Sequence, residues 1–342
     1  MRRRYGLLLG IAIGLGLAIP LLYGGRGVFA LLGGVSPMNL AMMLALVFVA
    51  WNANAGRLRL WAGGAGASLG QRQALTIVMA TEFAICATPA GGGGPLAFAW
   101  LLKRHDLPRF RGLALYAADQ FADMLFFLCA LVGIALYELT IPQAPRLGWQ
   151  LGGMAVLLLV AMGHVWFLVD HYRRILKATE HLLRGLGLSA RMRRRLGRRV
   201  IKFTRSLILA SRYSRPRLLA IFVLCSVHWL LRYSLLYLAI AAVGGHVSWG
   251  YAFLVQMVSL TAGQLALLPG GGGGTEASGS LLLAPYLDPA TLAAAILLWR
   301  FVTFYWYLIA GAPVFAFAAA RPWEDCRSGR TVLAAVEDPG RG

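Results

Sequence analysis

Six ionisable side chains fall inside long apolar stretches of this sequence: Glu82, Asp119, Asp123, Arg232, Glu276 and Arg300. A charge in hydrocarbon is costly, so such residues face a protein interior or a watery cavity and mark functional sites by default. Two glycine-rich breaks accompany them. One is Thr88-Pro89-Ala90-Gly91-Gly92-Gly93-Gly94-Pro95, the other Leu268-Pro269-Gly270-Gly271-Gly272-Gly273-Gly274. Glycines let backbone N–H groups approach an anion, and a helix N-terminus adds a positive dipole. The breaks therefore suit a phosphate headgroup, and they equally suit tight hairpin packing with no ligand. Arg232 and Arg300 are candidates to neutralise phosphate, with Glu276, Asp123 or Glu82 tuning the site or meeting a cation or a proton. The competing reading is a set of buried bridges, such as Glu276 with Arg300, although an ion pair is also a possible gate.

Other chemistries find no support. No Gly-Lys-Ser/Thr follows either glycine run, so a nucleotide P-loop is excluded. The four cysteines (Cys86, Cys129, Cys225, Cys326) form no CxxC pair, and the six histidines form no HExxH. Neither a zinc site nor a disulfide framework is expected, and no cofactor is implied. The net charge of +20 resembles that of a nucleic-acid binder. Here, however, the basic residues cluster between apolar runs, where they act as topology signals.

The elements that hold these residues are membrane helices. Hydrophobic residues make up 59% of the 342 and charged residues 13%, about half the share of a soluble domain. Mean hydropathy is +0.67. Full spans are expected at about 5–23, 37–56, 112–137, 148–170, 218–243 and 290–318. The stretch after Arg2, Arg3 and Arg4 reads as a retained first helix, not a cleaved leader. The stretches 73–103 and 250–287 are each interrupted by proline and glycine, which break helices. Backbone freed at membrane depth must be buried in protein or line a cavity. Each is therefore drawn as a re-entrant hairpin.

Charge sets the orientation. Arg2 to Arg4, Arg57, Arg59, Arg72, Lys103, Arg104, Arg109 and Arg111 fall on one side. So does the segment 171–217, with fifteen Lys/Arg against the single acid Glu180. The basic side is cytoplasmic. Both termini, including the tail 321–342, are then expected in the cytoplasm of an inner-membrane protein. The first hairpin opens inward and the second outward.

A shift of 180 residues lays Pro89 on Pro269, Gly91–Gly94 on Gly271–Gly274, Thr81 on Thr261 and Phe121 on Phe301. Gln120 meets Arg300 and Asn52 meets Arg232, so polar positions recur in both halves. Residues 1–140 and 148–320 read as two inverted copies of span, span, hairpin, span. That pattern belongs to transporters, whose sites lie where the repeats meet. Within 171–217, Ser189 caps a helix on which Leu196, Val200, Phe203 and Leu207 recur at helical spacing. It suits docking on anionic inner-leaflet headgroups, or simple anchoring.

The segment Leu268–Glu276 followed by Arg300-Phe301 resembles the PGG-x-G-x-x-E … R region of the lysylphosphatidylglycerol synthase transmembrane family, also called flippase-like. Thr88-Pro89, its glycine run and Lys103-Arg104 resemble that family's first conserved region, and the likeness spans roughly residues 5–320. Two places depart from the pattern. Gly94-Pro95 stands where a polar pair is usual, and Gln120 where an arginine is usual. Family members often carry a soluble aminoacyl-lipid synthase domain, which this sequence lacks, so it is not expected to make such lipids itself. The resemblance implies a membrane domain that moves or handles an anionic or isoprenoid-linked lipid.

The leading expectation is a non-enzymatic lipid translocase, possible as a homo-oligomer. Its headgroup cavity is lined by Pro89, Gly91, Gly92, Gly93, Gly94, Pro269, Gly270, Gly271, Gly272, Gly273 and Gly274. Glu82, Gln120, Asp123, Arg232, Glu276 and Arg300 supply its polar groups. The alternative is a membrane component of a glycosyl or aminoacyl transferase system, with Glu276 or Asp119 as base. A third is a scaffold whose basic segment docks a cytosolic partner.

Overall fold

The computed structural model describes residues 2–140, 148–171 and 190–320. The expected Ser189 cap, the first part of the basic segment (172–189), the loop 141–147 and the tail 321–342 lie outside the described residues. The protein is all-helical and multi-pass, with no strand among the described residues. Its elements are α1 (Arg2–Gly24), α2 (Gly27–Gly33), α3 (Pro37–Gly64), α4 (Gln71–Ala87), α5 (Gly93–Lys103), α6 (Arg109–Thr140) and α7 (Gly148–Asp170). There follow α8 (Ala190–Ser211), α9 (Arg215–Tyr233), α10 (Leu235–Ala242), α11 (Trp249–Leu265), α12 (Gly274–Leu283) and α13 (Pro289–Arg300). A π-helical turn over Phe301–Tyr305 leads into α14 (Trp306–Ala320).

Five stretches are long and apolar enough to cross a bilayer: Gly6–Gly24, Pro37–Gly64, Arg109–Tyr137, Arg215–Ala242 and Pro289–Ala320. The sixth expected span is also one helix, α7, but its apolar part is the shorter Gly152–His164. Pro289–Ala320 is 72% buried along its apolar window, whereas the other four are at most 28% buried. It is the central helix, with α1, α2 and α10 packed on its first part and α4 on its second. Ser36, Ser248 and Asp288 cap α3, α11 and α13. The Asp288 carboxylate accepts from the Ala290 and Thr291 N–H groups, which hold its carboxyl below the usual range. That cap is present at neutral pH and is lost as pH falls through the lowered value.

Both interrupted stretches are helical hairpins, α4–α5 and α11–α12, whose arms pack on each other. At 1.5 Å per residue their arms run about 26, 17, 26 and 15 Å, short of the ~30 Å hydrocarbon core. Proline and glycine end the helices, and close contact across the glycines folds the arms back. A Cβ at Gly263 would overlap Thr275, and one at Gly94 would overlap Ile85.

α8 packs against α6, with Lys202 over the Phe110 ring. Thr204, Leu207 and Ala210 turn inward, and Lys202 and Arg205 are exposed. The amphipathic reading of this helix therefore holds over these residues.

Gly270 has φ +59°, and a Cβ there would run into the Phe304 ring. The left-handed backbone alone makes Gly270→Ala cost about 1–2 kcal/mol, with the ring clash added. The melting temperature of the detergent-purified variant is expected to fall. Gly133→Ala, in open space on α6, is expected to lower it little or not at all.

Candidate functional site

The second break is built around one arginine. Between Leu265 and Gly274 the helix stops, freeing carbonyls that neither arm can satisfy. Arg300, the last residue of α13, donates from Nη2 to the Gly270 carbonyl at 2.9 Å. Its Nε donates to Glu276 Oε1 at 2.6 Å. The other carboxylate oxygen of Glu276 accepts from the Gly273 N–H at 2.7 Å, closing the start of α12. Glu276 is fully buried and Arg300 is 2% exposed, with its guanidinium 4.5 Å from the Phe304 ring centre. α1 seals the tip from outside. A Cβ on Gly272 would meet the Ala12 backbone at 2.6 Å, and one on Gly16 would meet Tyr305 Oη and Glu276 Oε1 at about 3 Å.

The first break makes the same turn with different supports. Gly91 N–H donates to Thr88 O and Gly92 N–H to Pro89 O, as Gly271 does to Leu268 O and Gly272 to Pro269 O. Ala90 and Gly91 have φ of 48° and 68°, and Gly270 and Gly271 have 59° and 68°. Equivalent residues lie 180 apart in both comparisons. Here Thr88 supplies the polar link, donating to Ala84 O and accepting from Gly93 N–H at 2.8 Å. The backbones of Pro89 and Pro269 pair as an isolated antiparallel bridge, so the two tips touch. Ala90 and Gly92 are exposed, while Pro269 and Gly271 to Gly273 are buried. The tips are thus in contact with each other.

Two further charge sites lie on α3, α4, α6 and α9. Arg232 reaches Glu82 with Nη1 at 3.1–3.2 Å from both carboxylate oxygens. Its guanidinium lies 4.8 Å from the Tyr307 ring and 5.4 Å from that of Trp229. These two side chains are 13% and 10% exposed, less sealed than Arg300 and Glu276 at 2% and 0%. Arg57 lies between Asp123 Oδ1 at 2.5 Å and Asp119 Oδ2 at 2.7 Å. Trp61 Nε1 donates to Asp119 at 2.8 Å, and Trp229 Nε1 to Asp123 at 2.6 Å.

Arg57, grouped in the sequence with the charges that set orientation, is a 2% exposed residue of α3, which runs on to Gly64. It is paired with Asp119 and Asp123, one turn apart on α6. Glu82, Asp123, Arg232, Glu276 and Arg300 are all engaged in ion pairs. Gln120 is exposed on α6, and Asn52 accepts from Gln71 instead of joining the charges. No group of side chains fit to hold a metal occurs among the described residues.

Removing one partner of a sealed pair leaves the other charge stranded, at about 3–5 kcal/mol. Glu276→Gln is therefore expected to lower thermal stability more than Glu82→Gln, whose partner Arg232 reaches solvent. Melting curves of the two purified variants test this ranking.

The family model described as "Lysylphosphatidylglycerol synthase TM region" matches residues 7–311. No curated protein matches the chain.

Proposed function

We propose that this chain, which belongs to the lysylphosphatidylglycerol synthase transmembrane family, is a translocase for an anionic or isoprenoid-linked lipid. The family makes it a lipid-related membrane protein; translocation is the reading that its geometry favours. The observation that carries it is the meeting of two broken-helix tips at Pro89 and Pro269. Both tips use the same turn at residues 180 apart. On this reading the hairpins are re-entrant, they enter from opposite leaflets, and the halves are inverted repeats.

The state described is then the closed one. A headgroup phosphate enters by exchanging for a carboxylate already on an arginine. Arg232 is the candidate, because its bond to Glu82 is longer and more exposed than that of Arg300 to Glu276. Trp229 and Tyr307 keep the freed guanidinium in place by ring contact. The Arg300 network acts as a rivet that preserves the tip while the halves rock. The basic helix α8, with exposed Lys202 and Arg205, draws anionic headgroups to the cytoplasmic face.

Liposomes carrying fluorescent phosphatidylglycerol test the proposal. The reconstituted chain is expected to move the lipid between leaflets without changing its mass. A charge-assisted hydrogen bond is worth about 1.5–3 kcal/mol, so Arg232→Ala is expected to slow movement by roughly 10- to 100-fold. A changed lipid mass favours a transferase component, and unchanged movement in Arg232→Ala removes that residue from the path. A cysteine at Asp288 is expected to be labelled from outside and one at Arg104 from inside. Labelling of both from one face contradicts the inverted repeat.

A further inference from the structure

The three charge sites do not balance alike. Arg232 with Glu82 and Arg300 with Glu276 are one cation to one carboxylate. Arg57 serves two carboxylates, Asp119 and Asp123, and leaves one negative charge over. Arg57 and Asp123 have side chains 3% and 7% exposed, and Asp119 has 14%. The surrounding groups do not supply a second cation. From α9, Cys225 Sγ and Trp229 Nε1 donate to Asp123. His228 is directed at the Ala50 carbonyl. Trp61 of α3 donates to Asp119. Arg57 Nε is itself buried without a hydrogen-bond partner.

A cavity lies beside this site. A cavity of about 590 Å³ is lined by Gly56, Arg59, Leu60, Gly63, Leu69 and Leu224. Gly56 adjoins Arg57 in the chain, and Leu224 adjoins Cys225. The carboxylates lie about 15–21 Å from the start of α6, and Arg57 about 10 Å from the end of α3. Those ends adjoin the loops 65–70 and 104–108.

We infer that Asp119, Asp123 and Arg57 form a proton-binding site, in which the two carboxylates share one exchangeable proton. The proton bonds to a carboxylate oxygen, and the surplus charge becomes zero. An uncompensated buried carboxylate costs several kcal/mol, whereas each pH unit of proton uptake costs about 1.4 kcal/mol. Trp229 touches both sites, donating to Asp123 and lying beside the Arg232 guanidinium. Protonation therefore bears on the Arg232–Glu82 pair. In this respect the inference rests on the translocase reading and names the ion that drives or gates it.

Infrared difference spectra of the full chain in phosphatidylglycerol vesicles, taken across a step between roughly pH 5 and 9, test it directly. The wild type is expected to show a protonated-carboxyl C=O band. Asp119→Asn and Asp123→Asn each restore one-to-one charge, so both are expected to lose the band. Glu82→Gln is expected to keep it. Absence of the band from the wild type overturns the inference without any variant, as does its persistence in both asparagine variants. The spectrum reads the proton whether or not lipid moves. A band without lipid movement leaves the proton site and removes the translocase; lipid movement without a band removes the proton site alone.

Discussion

Arg300 meets two demands that hydrocarbon makes at once: it neutralises the buried carboxylate of Glu276 and takes the carbonyl that the helix break frees at Gly270. Each unsatisfied backbone group at membrane depth costs several kcal/mol, so a broken helix exists there only if something else bonds its ends. The π-helical turn begins at the next residue, Phe301, and the surrounding helix is the most buried span. A fixed anchor and a locally irregular backbone thus adjoin on the same helix. Such bulges are frequent at functional positions.

The two tips hold the same turn by unequal means. Thr88 does with one hydroxyl at the first tip what Glu276 and Arg300 do together at the second. The first tip is accordingly more open, with Ala90 and Gly92 exposed. An interface between a rigid tip and a looser one suits motion of one half against the other. Trp229 joins the Arg57 site to the Arg232–Glu82 pair, donating to Asp123 and lying beside the Arg232 guanidinium.

Much of this was legible in the sequence. Prolines and glycine runs place both breaks, because no helix tolerates Thr88–Gly92 or Leu268–Gly273. The polar residues were found because charge is rare in apolar runs. The pairing of Glu276 with Arg300 was named as a structural alternative, and the geometry brings those two together. Arg57 was missed because it stands near a loop, where arginine ordinarily marks topology. Only the facing Asp119 and Asp123, 62 and 66 residues away, draw it inside. The short helix α2 and the continuation of α3 to Gly64 escaped for a related reason. Tertiary packing decides helix ends, and local hydropathy does not register it.

The account stands on contact between the tips in the closed state and its loss during transport. A cross-link between cysteines introduced for Pro89 and Pro269, in a background without the native cysteines, measures both. The expected result is ready disulfide formation that stops lipid movement in liposomes, with recovery on reduction. Full movement with the cross-link intact, or no cross-link under oxidation, contradicts the account.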